Sequence, residues 1–182
     1  KKFRSYYNFD TCFSFNGNKS MTSGGGGIFS TNNKKKYLKV KILSNVGKSN
    51  KYKYSEIGFN YKITNLHAAI GLGQLEKYNL LKEKKYKINK FYYKRIENKI
   101  FEKKHLNQSE LKSLWIYFII LKNEKKLKKF LNFLNKNKIN ASQFWYPLHF
   151  QKPYKKFPTY KLNFSKLLFK KLIILPSSTF LK

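Results

Sequence analysis

The sequence predicts an α/β fold: a strand-and-loop segment, a long helix, then a small α+β unit. Three observations carry this. Glycine and asparagine clusters break the first third into short aromatic runs. From Thr64 to about Ile96 no proline intervenes, and apolar residues recur at helical spacing. From residue 112 onward, strand-like and helix-like runs alternate. The divisions fall at 1–63, 64–104 and 105–182.

Taken in order, residues 1–15 are aromatic and polar and close on Cys12-Phe13-Ser14-Phe15, a short strand. Asn16 to Gly27 is a loop with four consecutive glycines, Gly24 to Gly27, and Ile28-Phe29-Ser30 is a second strand. Lys35 to Leu43 reads as helix and Ser44 to Tyr54 as polar loop. Thr64 or Asn65 is an N-cap for the long helix. Leu66, Ala69, Ile70 and Gly73 lie at helical spacing within it, and its small residues predict close packing on both sides. Residues 105–113 read as a polar connector and Leu114 to Leu121 as a strand. Glu124 to Lys138 is an amphipathic helix with Leu127, Phe130, Leu131 and Leu134 on one stripe. A strand starting at Ile139 and ending in Trp145-Tyr146-Pro147-Leu148-His149 follows. A short helix over Phe164 to Lys171 and a last strand over Leu172 to Pro176 complete the unit.

The chain has 182 residues, with 38 lysines, two arginines and eight acidic residues, for a formal charge of +32. Aromatics at 18% are too many for a disordered polycation. A basic surface points first to phosphate and nucleic acid. Here Lys, Asn, Ile, Tyr and Phe are abundant while Arg is confined to Arg4 and Arg95. A/T-rich coding produces that bias, and arginine, the bidentate reader of phosphate and guanine, is the residue missing. No specific nucleic-acid partner is expected. Cys12 is the only cysteine, which excludes an internal disulfide or a multi-cysteine zinc site. No apolar run approaches a membrane span, and His67, His105 and His149 have no metal-site spacing, so neither a membrane nor a metal is expected. The only methionine is Met21, so the chain is expected to be a piece of something longer.

Two phosphate-loop look-alikes fail. Gly47-Lys48-Ser49 has Ile42 where the first glycine of a P-loop belongs. Gly71-Leu72-Gly73 has no third glycine and no preceding strand. Among the lysines, Lys19 stands apart, lying between an apolar strand end and a glycine-rich loop. A lysine held off bulk solvent can attack an aldehyde as the neutral amine. Ser14, five residues earlier, offers a hydroxyl to a phosphate. An ordinary loop lysine is the plain alternative.

Four blocks then decide between these. Phe13-Ser14-Phe15-Asn16-Gly17-Asn18-Lys19 with Gly24 to Gly27 resembles the cofactor-lysine motif of the DegT/DnrJ/StrS family of sugar aminotransferases. Gly58 to Leu75 is similar to a second block of that family, with Lys62 where arginine often stands. Trp145 to His149 followed by Pro153-Tyr154, and Leu175-Pro176-Ser177-Ser178, resemble a third and a fourth. The order is the family's, over essentially the whole chain.

The resemblance implies the C-terminal part of the large domain of a fold-type I transferase dependent on pyridoxal 5'-phosphate, followed by a small α+β domain. Residues 64–104 become an interdomain and dimer-interface helix. Lys19 is implied to hold the cofactor covalently, Ser14 its phosphate, and Asn60 and Lys62 the phosphate of a neighbouring subunit's cofactor. Trp145 and His149 are implied to lie near the sugar-nucleotide site, with His67 structural. L-glutamate is the implied amino donor, a nucleotide-linked keto-sugar the acceptor, and a cytoplasmic homodimer the assembly. The family's dehydratase relatives carry histidine at the position of Lys19. The acidic partner of the pyridine nitrogen is not assignable, because Asp10 lies too close to the lysine. Two other readings compete: a catalytically incomplete homologue that only dimerises, and a basic nucleic-acid-binding domain.

Overall fold

The computed structural model describes residues 9–96, 100–102 and 105–181. The expectation for residues 1–8 lies outside them. The chain forms two compact units, Lys1–Leu81 and Lys82–Lys182.

In the first unit, strands β1 (Thr11–Ser14) and β2 (Gly27–Ser30) pair antiparallel, with Ser14 opposite Gly27 and Cys12 opposite Phe29. Helix α1 (Lys34–Ser44) starts at Asn33, whose side chain accepts the Lys36 N–H at 3.1 Å. The stretch expected as polar loop instead holds a hairpin, β3 (Lys48–Asn50) with β4 (Lys53–Tyr54). Its strands carry lysine, asparagine and tyrosine without apolar alternation, so no period marked them. The expected long helix is two helices, α2 (Asn65–Glu76) and α3 (Tyr78–Arg95). The break falls at Lys77, whose N–H bonds the Leu75 carbonyl instead of continuing the i−4 ladder. Thr64 is the N-cap, accepting the His67 N–H at 3.3 Å. Among the described residues of this unit only Ser23 and Gly47 are buried. Helix α2 buries none of its residues, although its sequence is apolar overall.

The second unit has a true core. Strand β5 (Phe118–Ile120), β6 (Ser142–Gln143) and β7 (Leu172–Ile174) form an antiparallel sheet in the order β5-β7-β6. Ile119 pairs with Ile173 on one side, and Gln143 with Ile173 on the other. Helix α5 (Leu127–Lys136) lays Leu127 and Leu134 into a cluster with Tyr117, Ile119, Leu121, Ala141, Ile173 and Leu175. Phe130 and Leu131, the rest of the expected stripe, pack against it. The connector at 105–113 holds a helix, α4 (Gln108–Ser113), closed by a capping box between Asn107 and Glu110. Strand β6 is shorter than expected, and the Trp145–His149 stretch runs into a 3₁₀ turn over Leu148–Phe150. Helix α6 spans Asn163–Phe169.

Helix α3 faces this core with Lys85, Asn89 and Tyr92. Asn89 is fully buried and donates from Nδ2 to the carbonyls of Leu111 (3.0 Å) and Leu114 (2.9 Å). The Tyr92 hydroxyl donates to Pro176 at 2.8 Å, and its ring stacks on Tyr117 at 4.9 Å. Lys85 is buried; its ammonium donates to the Ser177 carbonyl and to Ser177 Oγ at 3.1 Å. Ser177 Oγ also accepts the Tyr117 N–H at 3.2 Å. Loss of water around the ammonium pulls Lys85 from 10.5 to about 8.

This burial has a consequence for stability. The folded chain gives up the Lys85 proton near pH 8, while the unfolded chain holds it until about pH 10.5. Between those values the unfolded state binds more protons, so stability rises with pH. The rise attributable to Lys85 is on the order of 2 kcal/mol. Burial also raises Tyr117 to about 12, which reverses the slope above pH 10. Denaturant titrations between pH 7 and 10 are expected to show the rise in the wild type and its loss in Lys85→Met. Parallel curves would remove this role from Lys85.

Candidate active site

The Lys19 loop is closed by backbone chemistry. Phe15 donates its N–H to the Gly26 carbonyl at 3.0 Å. Its own carbonyl accepts from the Ser23 N–H at 3.1 Å and from the Thr22 hydroxyl at 3.0 Å. One residue therefore clamps both ends of the loop. Inside it, the Lys19 N–H donates to the Asn16 carbonyl at 3.0 Å, and the Asn16 N–H donates to Ser14 Oγ at 3.4 Å. Ser23 is fully buried and donates its hydroxyl to the Gly25 carbonyl. Lys19 is half-buried at the bend and Ser14 is exposed at the strand end.

The glycines seat this loop on the start of α2. Gly26 has φ +83°, and a methyl group there would press on Ile63 Cδ1 at 3.1 Å. A methyl at Gly24 would lie 3.7 Å from His67 Cδ2, and one at Gly71 would lie 3.4 Å from Ser23 Cβ. The Thr64 hydroxyl sits 2.9 Å from His67 Nδ1, fixing the ring. Of the small residues of α2, Gly71 meets the loop at Ser23, while Ala68 and Ala69 are exposed and Gly73 has open space beside it, so the close packing expected on both sides is not found. Leu66, Leu72 and Leu75 of the same helix remain exposed.

Asn60 and Lys62 lie on a different ledge. The chain at 59–61 runs antiparallel to the end of α1: Phe59 N–H to Leu43 O at 2.7 Å, Val46 N–H to Phe59 O at 2.9 Å, and Tyr61 N–H to Ser44 O at 2.9 Å. Both side chains are exposed. Trp145 and His149 belong to the second unit. Trp145 is half-exposed; its ring lies tilted against Trp115 at 5.3 Å and edge-on to Phe144 at 5.0 Å. His149 packs on Phe150 at 4.4 Å, and its buried Nε2 has no hydrogen-bond partner among the described residues.

Asp10 is engaged elsewhere. It accepts from Lys36 Nζ at 2.5 Å and from the Thr31 hydroxyl at 2.6 Å, and the Lys36 contact first, then Thr31, holds its carboxyl below the usual range. Sequence reasoning missed Ser23 as the buried pin of the loop. Its place directly before four glycines was the available signal.

The sequence matches the DegT/DnrJ/EryC1/StrS aminotransferase family over residues 7–182. The chain belongs to that family. It is 33% identical over 141 residues to GDP-perosamine synthase of Vibrio cholerae, covering 75% of this chain and 38% of that one. The fold is similar to Helicobacter pylori PseC, an aminotransferase involved in the biosynthesis of pseudoaminic acid. The TM-score is 0.80 at 25% identity, over 95% of this chain and 49% of PseC. Spr1654 of Streptococcus pneumoniae, solved in PLP- and PMP-forms, shares the fold at TM-score 0.78 and 22% identity, over 95% of this chain and 47% of that one. The chain thus spans about two-fifths to one half of the length of these three proteins. Among the described residues no helix is long and apolar enough to cross a membrane.

Proposed function

We propose that the chain is the lysine-bearing part of an aminotransferase that moves an amino group from L-glutamate to a nucleotide-linked keto-sugar. The observation that carries this reading is the seating of the Lys19 loop against Ile63, His67 and Gly71. Two blocks far apart in sequence, each resembling the family, touch in the fold.

The residues fit part of pyridoxal phosphate. The Lys19 amine suits its carbonyl carbon and the Ser14 hydroxyl its phosphate. The ring nitrogen finds no free acid in Asp10, which Lys36 and Thr31 already occupy. When bound, the cofactor supplies an electron sink for the pair left as the donor's α-carbon loses a proton. Lys19 would hold the cofactor through its amine, and the same amine, when free, could act as the base that moves a proton at the donor's α-carbon. Ser14 donates to the phosphate. Asn60 and Lys62 offer an amide and a cation to the phosphate in a second copy, Lys62 with charge but without arginine's fork. Trp145 and His149 contact the sugar nucleotide.

A homodimer is part of the proposal. Leu66, Ile70, Leu72 and Leu75 are exposed on opposite sides of α2, and that much uncovered apolar surface calls for a covering partner. The proposed setting is the cytoplasm, with no membrane and no specific nucleic-acid partner.

Pyridoxal phosphate added to the chain is expected to give an absorbance band near the visible edge. Borohydride should fix it on one peptide, the one containing Lys19. Labelling spread over the 38 lysines, or no band, would refute the reading for this chain.

A further inference from the structure

The Lys19 loop runs back along the start of α2. Ile63, His67 and Gly71 face Gly26, Gly24 and Ser23 in turn. Of these three supports only His67 has polar atoms in its side chain. His67 is half-buried, and the Cδ2–Nε2 edge of its ring is turned to Gly24, with Cδ2 3.7 Å and Nε2 3.9 Å from where a methyl on that glycine would sit.

The other edge of the ring is fixed by a hydrogen bond. The Thr64 hydroxyl oxygen already accepts the His67 backbone N–H at 3.3 Å. Its single proton is therefore free for Nδ1, 2.9 Å away. An Nδ1 that accepts leaves the proton of the neutral ring on Nε2, the nitrogen that faces the loop.

Gly24 in turn is tied to the lysine. At φ +81° it takes a backbone that glycine favours, and it has no side chain to hold its own place. It bridges to Asn16 and donates its N–H to Thr22 Oγ1 at 2.9 Å. Asn16 accepts the Lys19 N–H at 3.0 Å, and Thr22 donates to the Phe15 carbonyl at 3.0 Å. A displacement of Gly24 is thus passed through Asn16 to the Lys19 backbone.

We infer that His67 is a positioning residue for Lys19: held in one tautomer by Thr64, its ring keeps Gly24, and through Asn16 the lysine, in place. The part of this that concerns chemistry at Lys19 rests on the aminotransferase reading; the hold on the loop does not.

The test compares His67→Ala, His67→Phe and His67→Gln. Phenylalanine keeps a ring but neither nitrogen, whereas glutamine carries an N–H at about the reach of Nε2. Without cofactor, the Phe15, Lys19 and Ser23 amides are expected to exchange about tenfold faster in the Ala and Phe variants, and within about twofold of the wild type in His67→Gln. The Val46 and Tyr61 amides, bonded to Phe59 and Ser44 in the ladder at the end of α1, should be unchanged in all three. Nitrogen NMR of histidine-labelled protein should show His67 as the Nε2–H tautomer. With pyridoxal phosphate at saturation, the rate of borohydride-fixed labelling at Lys19 should fall about tenfold in the Ala and Phe variants, because the reacting amine is misplaced. The half-saturating concentration should stay put, since Ser14 is untouched, and glutamine should restore the rate. Wild-type exchange in His67→Phe would make the ring a mere filler and overturn the inference. So would equal losses in His67→Gln, an Nδ1–H tautomer, unchanged labelling in His67→Ala, or faster exchange that spreads to Val46 and Tyr61. No label at Lys19 in the wild type, with the exchange pattern as expected, would refute the transamination proposal and leave the hold of His67 on the loop standing.

Discussion

Lys19→Ala is expected to abolish the borohydride-fixed label while leaving the fold unchanged. The chemical part follows from the amine, since no other group in the loop can bond covalently to an aldehyde carbon and later release it. The structural part follows from where the loop's closure resides. Phe15, Thr22, Ser23 and Gly26 supply the bonds that shut it, and the Lys19 side chain stands half in solvent. Lys19→Arg should fail as completely, because the guanidinium keeps its proton and cannot attack. Ser14→Ala should keep the label but weaken cofactor retention about tenfold, the worth of one hydrogen bond to a charged group. Mass mapping of the reduced protein reads all three. A label that survives Lys19→Ala at full yield would move the chemistry to another lysine.

Gly47→Ala is expected to unfold the first unit and spare the second. Gly47 is buried with φ +78°, and an added Cβ would run into the Glu56 carbonyl oxygen. The obstacle is backbone on the far side too, since Gly58 crosses the same point against Leu43 and Gly47 itself. Neither chain can yield without breaking the ladder that carries Asn60. Both the left-handed conformation and the clash count against the variant, for a cost on the order of 4 kcal/mol or more. A unit that buries so little has no reserve to absorb it. Gly73→Ala is the control: that glycine lies in α2 with nothing within 4 Å of the added methyl. It should be neutral or stabilising by up to about 1 kcal/mol. Hydrogen exchange should show lost protection over 34–76 and retained protection over 111–175 in Gly47→Ala. Equal protection throughout would refute the argument.

These outcomes separate what was legible in the sequence from what was not. Helix α5 was legible because Leu127, Phe130, Leu131 and Leu134 repeat at its period and bury as a stripe. The start of α2 was legible because Thr64 has the side chain an N-cap needs. The loop was legible in its glycines, and the family blocks marked Lys19 within it. The β3–β4 hairpin was not, since Lys48 to Tyr54 form strands through the backbone crossing at Gly47 and Gly58, which no side-chain period reports. Helix α4 was hidden by its six residues, although Asn107 and Glu110 spell its capping box. Lys85 was hidden among its own kind. Inward and outward lysines read alike until a partner such as Ser177 is placed beside one of them.

The order β5-β7-β6 also governs when the second unit can form during synthesis. Strand β7 is made after β5 and β6, yet it is the only one that pairs with both. Until Leu172–Ile174 leave the ribosome, the edges of Phe118–Ile120 and Ser142–Gln143 that β7 will cover stay open on a chain that has already made α5. Each must wait for a distant segment, and the loops to be closed are long. The nascent chain therefore passes through an interval with the apolar strand Phe118–Ile120 open along one edge, when a chaperone or an aggregate would meet it.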